Sequence, residues 1–185
     1  MLVERQQLEG IDKYIARHQK TLHKKLCAVW EIDEADPKGY LCFPRCYRNQ
    51  TDTGYMPELY LGNKEYKDSL LDDKVKVLSF YGIDVQTVIA ETAKTTVHLI
   101  FFVNLEKIRP GDSRNDAAVW QDVYNVIEKR FYGFIPKQQL TGLENVLKEY
   151  SAARVSKGLK FRDMHPWHMF RFDFDLLFDY NKCDC

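Results

Sequence analysis

The sequence predicts an α+β fold: a mostly antiparallel sheet of about four to five strands, three helices packed on one face of it, and a long polar loop arm. Three observations carry that expectation. Apolar residues recur at helical spacing near the start of the chain and again over residues 119–131. Apolar, β-prone runs crowd residues 75–105. Phe170, Phe172, Phe174, Leu176 and Phe178 alternate with Arg171, Asp173, Asp175 and Leu177, the period of a strand with one apolar face.

The 185 residues suit one domain over residues 1–185, and a chain of that length buries roughly 70% of its unfolded surface. No internal repeat or linker divides it. Apolar residues make up 45% and charged residues 29%, which excludes bulk disorder.

Leu8, Ile11, Ile15 and Leu22 draw one apolar stripe along an opening helix. Gly10 lowers its propensity by about 1 kcal/mol, so packing must supply the stability. Leu26 to Ile32 reads as a short strand. The turn Asp36-Pro37-Lys38-Gly39 then leads to a hairpin partner at Tyr40 to Cys46.

Residues 47–73 are polar and punctuated by Gly54, Pro57 and Gly62, so they are expected to form an extended loop or interface arm with at most a short strand near Leu59 to Leu61. Val75–Tyr81, Val85–Glu91 and Thr95–Leu105 read as strands, the last two joined by a turn near Thr92 and Ala93. Within the third, Phe101 and Phe102 belong to an unbroken apolar run. Both its faces must therefore lose water, one to helices and the other to a neighbouring subunit.

Beyond Pro110-Gly111, Asn115 or Ser113 caps a helix carrying Val119, Val123, Ile127 and Phe131, widened by Trp120 and Tyr124 and stopped by Gly133. Thr141-Gly142-Leu143-Glu144 matches a capping box before Val146, Leu147 and Tyr150. The final strand follows, its charged face turned outward, and residues 179–185 form a mobile tail.

Lys plus Arg (27) equal Asp plus Glu (27), so the chain lacks the basic excess that drives non-specific nucleic-acid binding. Zero net charge suits a subunit buried in an assembly. Glu4 and Arg5 interrupt the apolar stretch that a secretory leader requires. The longest apolar run, Leu99 to Val103, is far short of the ~20 residues that span a bilayer, so no membrane partner is expected. Five cysteines without a leader point to free thiols in a cytoplasmic setting.

No phosphate loop, His-Glu-x-x-His or Gly-x-Ser-x-Gly is present. No catalytic residue, metal ligand or cofactor is assigned. Asp52 with Glu65 and Lys67 has the acidic, acidic-x-lysine pattern of some divalent-metal nucleases, which sets an enzyme reading beside a solvated loop. Cys42, Cys46, Cys183 and Cys185 lack the spacing of a zinc knuckle and read as incidental thiols. His165 and His168 flank Pro166-Trp167 and read as a packed turn, and His18 as a partly buried histidine on its helix. Lys13, Arg17, Lys20, Lys24 and Lys25 form a basic stretch with no acidic residue, suited to a contact with an acidic neighbour.

Tyr60-Leu61-Gly62-Asn63-Lys64-Glu65-Tyr66-Lys67, the hairpin into His98-Leu99-Ile100-Phe101-Phe102-Val103-Asn104-Leu105, the helix at Val119 to Arg130 and the strand Phe170 to Phe178 give an element order that resembles the neck proteins of tailed bacteriophages. These are the tail-terminator and head-to-tail connector ring proteins, and the texture is similar to that of phages of Bacteroidetes, including the crAss-like group. The resemblance implies a non-enzymatic virion protein that assembles in the host cytoplasm as a six-fold or twelve-fold ring against portal, connector or tail-tube proteins. DNA contact is then restricted to a ring lumen. The interface residues it implies are Lys13, Arg17, Lys20, Lys24, Lys25, Tyr60, Lys64, Glu65, Tyr66, Lys67, Phe101, Phe102, Arg171, Asp173 and Asp175. A small protein-binding adaptor, monomeric or dimeric, is the further alternative to the ring.

Overall fold

The apolar run at Leu99–Val103 forms the C-terminal part of a long strand with a partner on either side. The computed structural model describes residues 10–52, 54–62, 65–68, 72–83, 87–89, 92–130, 134–150 and 164–179. In chain order the elements are α1 (Gly10–Val29), β1 (Tyr40–Thr51), β2 (Gly54–Gly62), β3 (Glu65–Asp68), β4 (Val77–Ile83), β5 (Thr87–Ile89), β6 (Thr92–Asn104), α2 (Leu105–Ile108), α3 (Asp116–Arg130), β7 (Phe134–Thr141), α4 (Leu143–Val146) and β8 (Trp167–Asp179). All eight described strands join one mixed sheet in the order β3-β2-β1-β4-β6-β8-β7, with β5 paired to β6. The α+β class holds, with twice the lower strand number expected and with one parallel pair, β1 beside β4. Among the described residues no helix is long and apolar enough to cross a membrane.

Helix α1 runs through Leu26, where a strand was expected, because its buried stripe of Ile11, Ile15, Leu22 and Leu26 continues at four- and seven-residue spacing. It stops where Glu31 adopts a left-handed φ of 52° and the Ile32 amide donates to the Cys27 carbonyl at 2.9 Å. Tyr40–Cys46 therefore pairs with β4 and not with residues 26–32. Asn115 is the cap of α3, its Oδ1 accepting from the Ala118 amide at 3.1 Å. Leu8, Phe131 and Gly133, expected at the ends of these two helices, lie outside the described residues. The turn before α4 departs from a capping box. Thr141 is the last residue of β7, and the amides of Asn145 and Val146 both donate to the Gly142 carbonyl, with Gly142 at φ 79°.

Strand β7 was absent from the sequence expectation. Its polar stretch contains Pro136, which donates no ladder hydrogen bond, and the strand lies at the sheet's edge with a register shift between Pro136 and Gln138. The arm expected at 47–73 is likewise mostly strand. β1 continues to Thr51, turns tightly and returns as β2, on which β3 adds a short edge. Its composition misled because Tyr47, Arg48, Asn49 and Gln50 are all exposed, without the in-out alternation that marks a strand packed on a core.

The helices divide between the two faces of the sheet, where three on a single face were expected. α1 and α3 cover one face, over Tyr40, Cys42, Val77, Leu99, Phe101, Phe170, Phe172 and Phe174. On the other, α4 and the turn after it bring Val146, Leu147 and Tyr150 onto Phe43, Phe80, Ile100, Phe102 and Met169. The second face of β6 is thus closed by the chain's own residues, and no neighbouring subunit is needed there. Trp30 Nε1 donates to Asp122 Oδ2 at 2.9 Å and Arg109 Nη2 to the same oxygen at 2.7 Å, tying the end of α1 to α3 and α2. Of the residues expected in a tail, Asp179 ends β8, and 180–185 lie outside the described residues.

Phe101 stacks on Phe170 with ring centroids 5.0 Å apart and planes 8° from parallel, and it is fully buried. Phe101→Ala is expected to lower the unfolding free energy by about 3–5 kcal/mol in urea titrations with an unchanged m value. A loss below about 1 kcal/mol would show that this face is not packed as described.

Candidate functional site

Strand pairing lines up one residue from each of seven strands in a single row across the sheet: Lys67, Leu59, Cys46, Gly82, His98, Asp173 and Gln138. Adjacent positions in such a row are about 4.8 Å apart, close enough for side chains on one face to meet. One end of the row is polar. His98 Nδ1 lies 2.7 Å from Asp173 Oδ1, and Gln138 Nε2 donates to Asp173 Oδ2 from the other side.

Arg171, two residues before Asp173 on the same face, completes the cluster with no exposed surface at all. Its Nε and Nη2 donate to the two oxygens of Asp173, and its Nη1 and Nη2 to the two oxygens of Glu149 on the turn after α4. Nη1 also donates to the Val146 carbonyl at 3.3 Å. One guanidinium is therefore held between two carboxylates by fork-to-fork pairing. Burial alone would raise Asp173's carboxyl, but the hydrogen bonds from His98, Arg171 and Gln138 overcome it and hold the group far below the usual carboxylate range. Burial alone would lower Arg171, but the bonds to Glu149 and Asp173 outweigh it and raise the guanidinium instead.

His98 Nδ1 is also 2.6 Å from Arg171 Nη2. The two contacts make opposite demands on one nitrogen, since Nδ1–H donates to Asp173 whereas a bare Nδ1 accepts from Arg171. The cluster sets Arg171 between two anions, Asp173 and Glu149, with Lys148 Nζ 3.9 Å from Glu149 at its margin.

Gly82 leaves a gap in the row between Cys46 and His98. A Cβ there would come within 2.9 Å of Tyr150 Oη and 3.7 Å of the His98 ring. Above the gap lies a pocket of about 190 Å³ lined by Arg45, Cys46, Tyr47, Arg48, Ile83, His98, Glu149 and Tyr150. Burial pushes the Cys46 thiol up to about 12, so it is protonated and a poor nucleophile at neutral pH. Cys42 is also buried and raised by burial, and Cys183 and Cys185 lie outside the described residues.

The sequence-predicted interface residues fall into three groups. Lys20, Lys24 and Lys25 are exposed on α1, with Lys13 and Arg17 half-buried beside them. Tyr60 lies on β2, Glu65, Tyr66 and Lys67 occupy β3, and Lys64 is outside the described residues. Phe101 and Phe102 are buried, one on each face of β6. Arg171 and Asp173 are a correction: their face of β8 points inward under α4, so they cannot meet another copy. Asp175 is held within the chain as well, by Lys94 and Lys137 at 3.1 Å each and by Thr96.

The metal-nuclease triplet does not converge. Asp52 precedes the start of β2 at Gly54, whereas Glu65 pairs with Gly62 at its other end, about 26 Å away at the usual strand rise. Lys67, paired with Leu59, is about 17 Å from that turn. His165 and His168 hold a turn as expected: His165 Nε2 lies 3.1 Å from Ser113 Oγ, His168 Nδ1 lies 3.6 Å from Asp116, and Trp167 Nε1 donates to Asp73 at 3.0 Å. His18 packs on the Tyr14 ring, and burial lowers it to about 4. No protein-family model matches the chain, and no curated protein matches its sequence.

Removing Arg171 leaves two carboxylates without their cation. Arg171→Leu is expected to cost about 3–5 kcal/mol at pH 7. The pH dependence separates this from a packing loss. In the native chain Asp173's folded pKa is depressed, so its stabilising contribution is present above the unfolded carboxylate pKa of about 3.9 and is lost as pH falls through and below that value. In Arg171→Leu, Asp173 keeps only His98 and Gln138 and Glu149 only the distant Lys148, so both carboxyls lose the guanidinium that favours their charged forms, their pKa values rise, and the penalty is relieved by protonation. The variant should gain stability between pH 7 and pH 5 in denaturant titrations, where the native protein does not.

Proposed function

We propose that this chain is a non-catalytic assembly subunit that joins copies of itself through the β1–β2 ribbon, and that its context is the ring of a tailed-phage neck. The observation that carries the reading is the two-stranded end of that ribbon, with tyrosines exposed on it. β4 accompanies β1 only as far as Cys46, and β3 accompanies β2 only from Glu58 onward. From Arg48 opposite Pro57 to Thr51 opposite Gly54 the hairpin pairs with no third strand among the described residues, and Met56 packs toward the core.

Two-stranded ribbons are marginal in water, and a third strand or a packing surface is what stabilises them. This one carries Tyr47 and Tyr55, 38% and 42% exposed, a residue type favoured at protein interfaces. A neighbouring copy supplies the missing surface. The cationic side of α1, with Lys20, Lys24 and Lys25 exposed, and the exposed acidic residues Glu31, Asp33 and Glu34 after its end are opposite charges on different parts of one surface. Such a pair suits a head-to-tail contact, which closes into a ring when the rotation divides the circle. The resemblance to neck proteins supplies six or twelve as the ring number.

Light scattering coupled to size exclusion is expected to give one closed oligomer at micromolar concentration, visible as rings in negative-stain images. Deleting residues 49–55 should reduce it to folded monomer with an unchanged near-ultraviolet circular dichroism spectrum. A native chain that stays monomeric or dimeric at 100-fold higher concentration would replace the ring by the adaptor alternative.

A further inference from the structure

We infer that the pocket at the root of the ribbon is a binding site for a small oxyanion of carboxylate or phosphate type. Its walls come from four separate parts of the fold: β1 (Arg45, Cys46, Tyr47, Arg48), the end of β4 (Ile83), β6 (His98) and the turn after α4 (Glu149, Tyr150). At about 190 Å³ it has room for roughly six waters, which is the size of a small anion with part of its hydration.

The hydrogen-bonding inventory sets the sign of the ligand. Each oxygen of Glu149 accepts one bond from Arg171, and Lys148 Nζ lies 3.9 Å from one of them. Both oxygens of Asp173 are taken by Arg171, His98 and Gln138. Glu149 is the one carboxylate among the described walls and already faces Arg171 and Lys148, whereas Arg45 and Arg48 bring two further positive charges to the same pocket.

The donors are in surplus. Arg45 makes one long contact, Nη1 to Asp12 Oδ1 at 3.4 Å, while its Nε–H is buried and meets no acceptor among the described residues. Asp12 is a weakened partner, because burial raises its carboxyl more than Arg45 lowers it. Arg48 is exposed at the pocket's edge and forms no side-chain ion pair with a described residue. Two guanidinium groups on one strand, one with an unmet buried donor, fit a ligand that only accepts. Arg45 lies with its guanidinium carbon 4.9 Å from the Tyr47 ring centroid, so the fork is supported by another of the pocket's lining residues.

This inference stands independently of the ring: the anion is either free in solution or a carboxylate presented by another copy. The test uses the full chain, with sodium acetate and inorganic phosphate titrated against chloride at constant ionic strength and the Arg45 Nε–H resonance as readout. A saturable shift is expected. Arg48→Gln should weaken it roughly tenfold, Arg45→Gln should abolish binding followed by calorimetry, and Lys20→Gln, on the outer side of α1, should leave it unchanged. A shift that grows linearly with anion, or binding that survives both Arg45→Gln and Arg48→Gln, would overturn the site. Sedimentation in the same titration names the source: an oligomer that dissociates as acetate saturates the pocket assigns the carboxylate to a neighbouring copy, and unchanged sedimentation with a saturable shift assigns it to a free anion.

Discussion

A guanidinium with no access to water has to bring its counter-charges into the interior with it, and the position of Arg171 on β8 sets much of what surrounds it. Its two carboxylate partners come from its own strand and from the turn after α4, so the ion pairs fix the cover of the second sheet face as well as the register of the last strand. Bidentate geometry at both ends makes the arrangement intolerant of a slip. Moving β8 by one residue would carry Arg171 and Asp173 to the opposite face, into the apolar cluster of Tyr40, Leu99 and Phe101 under α1 and α3 and away from Glu149. Apolar replacement of the whole cluster would meet the same packing demand, so the charges serve specificity of register more than net stability.

The same row of residues explains why a pocket exists where it does. A sheet packed on both faces leaves little room for a cavity, and Gly82, between Cys46 and His98, contributes no side chain and admits the Tyr150 hydroxyl that borders the pocket. Tyr150 leans into that space, and its hydroxyl would collide with any Cβ at position 82. The pocket therefore belongs to the same construction as the charged cluster: α4 and its following turn supply Glu149 to Arg171 and Tyr150 to the glycine gap.

Where the sequence was legible, one physical signal dominated its neighbours. The stripe of α1, the Asn115 cap, the β5–β6 hairpin and the alternation of β8 each follow from a single periodicity or cap. Where several constraints met, pattern alone was insufficient. Residues 47–62 read as loop because Tyr47 to Gln50 are exposed without alternation and only β2 turns residues such as Leu59 to the core, and β7 because Pro136 and two glutamines resemble a connection. The charged side of β8 read as solvent-facing because Arg171 and Asp173 carry full charges, yet Glu149, twenty-two residues upstream of Arg171, supplies the partner that permits burial. His98 gave a usable signal: it is the one polar side chain between Val97 and Val103. A lone polar residue inside an apolar strand calls for a buried partner, and the adjacent strand offered Asp173.

Coverage of both sheet faces also restricts where another molecule can attach. The faces closed by α1, α3 and α4 leave no broad apolar surface among the described residues, so a partner is directed to the sheet's two edges, the ribbon and the outer side of α1. The β7 edge is blunted by Pro136 and a register shift, both of which discourage strand addition. The β3 edge is four residues long and its sequence, Glu65-Tyr66-Lys67-Asp68, is mostly charged. Continuous β-pairing between copies is therefore disfavoured at either edge. The ribbon differs because its strands are already paired with each other, so a partner meets side chains in place of open backbone groups. Contacts of that kind select by shape and charge, and they can be repeated around a closed assembly without propagating into an open fibre.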